Sequence, residues 1–160
     1  VIRVGQGTDA HRFSDDVSRP LVLCGVAVPG SPGLAGHSDA DVATHALCDA
    51  ILGAAGLGDL GRHFPDTDPA YEGASSLSLL ARCCAMARAA GLTVGNADVT
   101  VLAAAPRLAP LLEAMAATLA GVVAAPVSVK ATTTDGLGAV GRGEGIAASA
   151  VVLLVDASAP

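Results

Sequence analysis

Tryptophan is absent, and the other large aromatics are one tyrosine (Tyr71) and two phenylalanines (Phe13, Phe64) in 160 residues. Apolar residues nevertheless make up 52% of the chain, with Ala and Val everywhere. That content excludes a disordered chain, and the length falls in the range of one domain that can bury a core. Small side chains each remove little area from water. Such a composition favours a subunit that hides further apolar surface against copies of itself. A lysine/arginine cluster is also lacking, and the net charge is −6. This excludes a broad electrostatic surface for nucleic acid. No apolar run suits a bilayer. The longest uncharged one, Ala114 to Val129, is broken by Thr118, Gly121, Pro126 and Ser128. The first residues show no secretory leader pattern, so a cytoplasmic location is expected. The four cysteines (Cys24, Cys48, Cys83, Cys84) lack C-x-x-C spacing and are expected to be reduced and buried.

Periodicity gives an alternating pattern of strands and helices. Residues 1–11 and then Pro20 to Val28 read as strands, followed by a Gly/Pro/Ser loop from Pro29 to Gly36. From Asp41 to Gly56, Val42, Ala46, Leu47, Ala50, Ile51 and Ala54 recur at helical spacing, with Ser38, Asp39 and Asp41 crowding the start. Gly58 to Gly73 reads as a loop, and Ser75 or Ser76 caps a helix that Gly91 stops. A strand from Thr93 to Ala104 precedes a helix opened by Pro106 and ending near Gly121. Val127 to Ala131 and Ile146 to Val155 are the last strands. The expectation is a single α/β (α+β) domain over residues 1–160, a mixed sheet with helices packed against it.

Several polar constellations interrupt this apolar pattern. Asp9 and His11, two apart on a strand, project from one face. They supply two of the three protein ligands of an open catalytic zinc site, although taken alone the pair is more simply explained as a polar strand end. His45 lies four residues after Asp41 and four before Asp49, so the three share one helical stripe. Burying such groups unpaired costs about 1–3 kcal/mol each, so the stripe faces either water or a metal. With His45 as third ligand, Asp41 or Asp49 would orient the imidazole from behind. The run Asp59 to Asp68 carries the carboxylates and glycine that suit a polyol, and equally those of an ordinary surface loop. Lys130 to Asp135 places three consecutive threonines where hydroxyls and N–H groups can hold phosphate oxygens. Asp135 could take a second ion such as Mg²⁺, and a Thr-rich strand end is the plain alternative. Gly136 to Gly141 matches G-x-G-x-x-G, but a dinucleotide fold needs a helix directly afterwards. Gly143 and Gly145 interrupt, and a strand follows, so that reading is rejected.

Taken together, these segments resemble the 2-C-methyl-D-erythritol 2,4-cyclodiphosphate synthase family of the non-mevalonate isoprenoid pathway. The blocks occur in family order from Arg3 to about Leu154: G-x-G-x-D-x-H (Gly5 to His11), H-S-D-A-D-V (His37 to Val42) with His45, and G-D-L-G-x-x-F-P-D-T-D (Gly58 to Asp68). D-V-T (Asp98 to Thr100), A-P (Ala105-Pro106), K-A-T-T-T (Lys130 to Thr134) and G-R-G-E-G-I-A (Gly141 to Ala147) complete the set. The resemblance implies a phosphorus–oxygen lyase that cyclises 4-diphosphocytidyl-2-C-methyl-D-erythritol 2-phosphate and releases CMP. It implies a homotrimer with active sites between subunits, zinc on Asp9, His11 and His45, and Mg²⁺ or Mn²⁺ on Asp135. Cytosine and ribose would meet Ala103, Ala104, Ala105, Pro106, Arg107, Leu108 and Ala109, with Thr132 and Thr133. Ser38, Thr134 and Arg142 would also contact substrate, and Asp59, Gly61, Phe64, Pro65, Asp66, Thr67 and Asp68 would face its methylerythritol part. His37 and Thr133 would stabilise the transition state. Asp135 stands where Glu is commoner, a shorter arm toward the ion, and Ser75 replaces a common Asp. Ala139 replaces a frequent Phe and would widen an axial cavity that in the family accepts an isoprenoid diphosphate. Arg142 and Glu144, two apart on a strand, would form a charged ring there. A metal-dependent phosphoester or pyrophosphate hydrolase and a non-catalytic diphosphate binder remain the alternatives.

Overall fold

The protein is described over residues 1–157 by a computed structural model. Its elements run β1 (Ile2–Arg12), β2 (Pro20–Leu23), β3 (Val26–Pro32), α1 (Val42–Ala55), α2 (Leu60–His63), α3 (Ser76–Ala89), β4 (Leu92–Leu102), α4 (Leu112–Val123), β5 (Val127–Thr132), α5 (Gly138–Gly141) and β6 (Gly145–Asp156). The main sheet has the order β1-β6-β4-β5. β6 is antiparallel to both neighbours, and β5 is parallel to β4. β1, β4 and β5 therefore run in one direction and finish at the same end of the sheet. The expected mixed α/β architecture is present. None of the described helices is long and apolar enough to cross a membrane.

Alternation decides which face the helices cover. Along β6, Ile146, Ala148, Ala150, Val152 and Leu154 are buried beneath α1, while α3 packs on β4 and α4 on β5. The opposite face is bare in the single chain, with Ile2 72% and Val4 68% exposed beside Leu153 and Val151. Burying such residues is favourable by roughly 25 cal/mol per Å², so this face is suited to contact another subunit.

The closest helix–sheet contact lies between α1 and β1. A Cβ at Gly5 would sit 1.9 Å from the Ala50 carbonyl oxygen, and one at Gly7 would sit 2.1 Å from that of Ala46. Both glycines share a face of β1 with Asp9 and His11. The small residues thus let the α1 backbone settle directly on β1. Asp41 caps α1, accepting from the Thr44 N–H (3.0 Å) and hydroxyl (2.7 Å). It also accepts from the N–H groups of Cys24 (2.9 Å) and Gly25 (2.6 Å), which fastens the β2–β3 turn to the helix.

Four local expectations need correction. Pro20 to Val28 is not one strand but a hairpin, because Cys24 and Gly25 adopt positive φ and turn the chain. Pro106 does not open a helix. It follows a cis peptide in a loop, and Pro110 instead lies in the 3₁₀ turn that leads into α4. Ser75 occupies the N-cap position of α3 without a capping bond, and Asp39 caps that helix by accepting from the Ser76 N–H. Arg142 and Glu144 precede β6 rather than lying within it, and they pair with each other at 2.6 Å. The cysteines are free, as expected, with Cys84 only partly buried.

Candidate active site

Asp9 and His11 at the end of β1 meet His45 on the first turn of α1, with one ligand atom from each lying within 4.8 Å of the others. Asp9 Oδ2 is the hub, 2.9 Å from His11 Nε2 and 3.1 Å from His45 Nδ1. His11 Nδ1–H donates to the Ala35 carbonyl at 2.6 Å, which fixes Nε2 as the nitrogen facing the centre. Burial alone would raise the Asp9 pKa, but hydrogen bonds from the two imidazoles outweigh it and hold the carboxyl well below the usual range. The same bond to Asp9 raises the pKa of His11 against the opposing effect of burial. One carboxylate and two imidazoles converging at the mouth of a cavity fit a divalent metal with an open coordination position.

That cavity, about 350 Å³, is walled by His11, His37, Ser38, His45, Gly61, Phe64, Asp66 and Tyr71, among others. Its lining includes no lysine or arginine. His37 Nε2–H donates to the Asp68 carbonyl at 3.0 Å, tying the α1 approach to the 64–68 loop. Asp59 is not in the lining and caps α2 through the Arg62 N–H (2.9 Å), and Pro65 and Thr67 belong to the 64–68 loop. A second cavity, 290 Å³, is lined by Ala103, Ala104, Pro106, Arg107, Leu108, Ala109, Ala131, Thr132 and Thr133. Ala105 precedes the cis peptide in that loop. Thr133 donates to Asp135 at 3.1 Å, and Thr134 donates to the Leu137 carbonyl at 2.7 Å. A smaller hollow of 160 Å³ contains Ala139, Arg12 and Glu144.

The 350 Å³ and 290 Å³ cavities do not merge within one chain. The metal triad sits at the end of β1, whereas the second cavity sits at the ends of β4 and β5. Three strand spacings separate β1 from β5, about 14 Å at ~4.8 Å each.

Asp41 and Asp49 do not orient His45, contrary to the expectation from their shared stripe. Asp41 is committed to its capping bonds, and Asp49 accepts from the Leu60 N–H at 2.7 Å. The groups actually behind His45 are hydroxyls: Ser76 Oγ at 2.9 Å and Ser38 Oγ at 3.1 Å from Nε2. Ser76 was legible only as a helix start, and nothing in the sequence ties it to His45. Arg82 was also invisible. Its guanidinium lies 4.7 Å from the centre of the Phe64 ring and 5.6 Å from that of Tyr71, bracing the cavity wall.

Residues 2–155 match the profile of the YgbB family. The chain is 56% identical over 156 residues to the 2-C-methyl-D-erythritol 2,4-cyclodiphosphate synthase of Shewanella sp. strain ANA-3, covering 96% of this chain and 97% of that protein. A solved 2C-methyl-D-erythritol-2,4-cyclodiphosphate synthase in its CDP-bound form superposes with TM-score 0.86 at 37% identity, covering 96% of this chain and all (100%) of that one. The bifunctional IspDF of Campylobacter jejuni gives TM-score 0.91 at 42% identity, with 98% of this chain matched to 43% of that longer chain. The chain belongs to the YgbB family, and its similar relatives are 2-C-methyl-D-erythritol 2,4-cyclodiphosphate synthases.

Proposed function

We propose that the protein converts 4-diphosphocytidyl-2-C-methyl-D-erythritol 2-phosphate to 2-C-methyl-D-erythritol 2,4-cyclodiphosphate and CMP. The observation that carries this reading is the pairing of a metal-suited cavity with a separate nucleotide-sized one built from residues 103–109, Thr132 and Thr133. An oxygen of the 2-phosphate forms a bond to the β-phosphorus, the bond from that phosphorus to the α-phosphate oxygen breaks, and CMP leaves with the electron pair. The nucleophile is already anionic at neutral pH, so ring closure and charge neutralisation are the main demands on the protein.

Zinc held by Asp9, His11 and His45 would supply Lewis acidity toward phosphate oxygens, where the cavity wall itself offers no lysine or arginine. Asp135 would contribute one carboxylate toward Mg²⁺ or Mn²⁺, which is commonly held by one or two carboxylates together with substrate phosphates. Ser38 and His37 line the phosphate end, Gly61, Phe64 and Asp66 the polyol, and the 103–109 loop the cytidine. Thr133, hydrogen-bonded to Asp135, is placed to donate to a phosphate oxygen once substrate arrives.

Because the two cavities lie on opposite edges of the sheet, a complete site needs one cavity from each of two neighbouring subunits. A ring of three, packed through the bare sheet face, meets that need and covers Ile2, Val4 and Val151.

Phosphorus NMR of the purified protein with zinc, Mg²⁺ and the CDP-methylerythritol 2-phosphate substrate is expected to show CMP and a cyclic diphosphate appearing together. CMP with a linear phosphate would point to the hydrolase, and binding without turnover to a non-catalytic diphosphate binder.

Metal binding carries a pH signature. In the metal-free protein the lowered Asp9 pKa gives stability that is lost as pH falls below the ordinary carboxylate range. The raised His11 pKa gives stability that is complete below about 6.5 and lost as pH rises through its folded value. A metal requires that proton to leave. The increase in Tm on adding zinc should therefore be clearly larger at about pH 8 than at about pH 5.5; calorimetry with and without metal checks it, and an equal increase at both would refute it.

A further inference from the structure

The geometry points to Ser76 and Asp39 as positioning residues that set the tautomer of His45 and thereby present its Nδ1 lone pair to the metal centre.

The bonds of Asp39 and Ser76 favour one proton arrangement at His45 Nε2. An ionised carboxylate has no proton to give, so at Asp39 Oδ1 the bond must come from the Ser76 hydroxyl. Asp39 Oδ2 is likewise engaged by the Ser76 N–H at 2.9 Å. A serine hydroxyl has a single proton. Once that proton is committed to Asp39, Ser76 Oγ can only accept from His45 Nε2, 2.9 Å away. Nε2 then keeps its proton toward Ser76, and Nδ1, which faces Asp9 at 3.1 Å, is the nitrogen that turns its lone pair to a metal once one binds. Burial reinforces the arrangement, since Ser76 is 0% and His45 8% exposed, so water does not compete for these bonds.

The two histidines are thus fixed by different means. His11 is held by a backbone carbonyl, which no side-chain substitution removes. His45 is held by a side-chain relay that reaches from the start of α3, 31 residues further along the chain. Ser38 Oγ also lies near Nε2, at 3.1 Å, and accepts from the Ala40 N–H. With Ser76 satisfying Nε2–H, the Ser38 hydroxyl is free to turn toward a phosphate in the cavity.

The inference rests on zinc binding at Asp9, His11 and His45 but not on the cyclisation. Zinc affinity by chelator competition, without substrate, is the first readout. Ser76→Ala should weaken zinc 10- to 100-fold, and Asp39→Ala should do the same, while Ser75→Ala, one residue away with no cap bond, should change it less than about twofold. The second readout is the ¹⁵N shifts of His45 in the wild-type, zinc-loaded protein, which should report a protonated Nε2 and a metal-bound Nδ1. This needs no variant to fold. Zinc bound through Nε2 in the wild type, or a folded Ser76→Ala protein that binds zinc as tightly as wild type, would overturn the assignment. A wild-type protein that binds zinc but yields no cyclic product would instead refute the proposed reaction and leave the relay standing.

Discussion

Gly7→Ala should lower the melting temperature by roughly 6–12 °C and, in the same protein, weaken metal binding. The added Cβ would stand 2.1 Å from the Ala46 carbonyl oxygen and 2.7 Å from the Ala50 nitrogen. Both atoms belong to the α1 backbone and cannot rotate away, so the helix must rise from β1 by about 1 Å to reach ordinary contact. Overpacking of this kind costs about 3 kcal/mol, and a chain of this size loses about 2–4 °C per kcal/mol. His45 directly precedes Ala46, so lifting the helix also draws its ring from Asp9. Metal ligands tolerate only about 0.2 Å of displacement. Gly53→Ala is the control within the same helix, because nothing lies within 4 Å of its Cβ position. It should stabilise by up to about 1 kcal/mol through helix propensity. Thermal melts with zinc titrations on both variants decide the matter. A Gly7→Ala protein as stable as wild type would mean that the close approach is not required.

Asp9→Asn and His45→Ala should each reduce turnover about a thousandfold. A Lewis acid at a phosphoryl oxygen is worth several kcal/mol, and about 4 kcal/mol corresponds to that factor. The zinc content of the purified variants should fall in parallel. The pair of cavities adds a sharper test. Ala104→Trp would fill the 290 Å³ cavity from an exposed position and should also abolish turnover. If each active site takes its metal centre from one subunit and its nucleotide cavity from the next, mixing Ala104→Trp with Asp9→Asn chains and reassembling them restores some sites. At equal mixing roughly a quarter of the sites combine an intact metal centre with an intact cavity. Activity should recover to about that fraction, whereas chains that each hold a whole site would show no recovery.

Much of this site follows from periodicity. A strand repeat of two puts Gly5, Gly7, Asp9 and His11 on one face and so offers two side chains to a metal, whereas the close approach of α1 over the glycines shows only in the structure. A helical repeat places His45 on a stripe with Asp41 and Asp49, but the stripe could not say what stands opposite. Asp41 was drawn away by the free N–H groups of the β2–β3 turn and Asp49 by the start of α2. Their expected place behind His45 went to Ser76. Similarly, Pro106 looks like a helix start in any linear reading, because proline suits that position, while its actual place depends on the loop across β4 and β5.

By itself the sequence determined most of the elements and the alternation along the strands, because these depend on local spacing, and its resemblance to the family pointed to Asp9, His11 and His45 as candidate ligands. Only the tertiary structure decided which hydroxyl meets His45, which carboxylate caps α3, and that the two cavities stand at opposite edges of one sheet. Those contacts join residues far apart in the chain, and they follow from how closely α1 lies on β1 and how the strands are ordered.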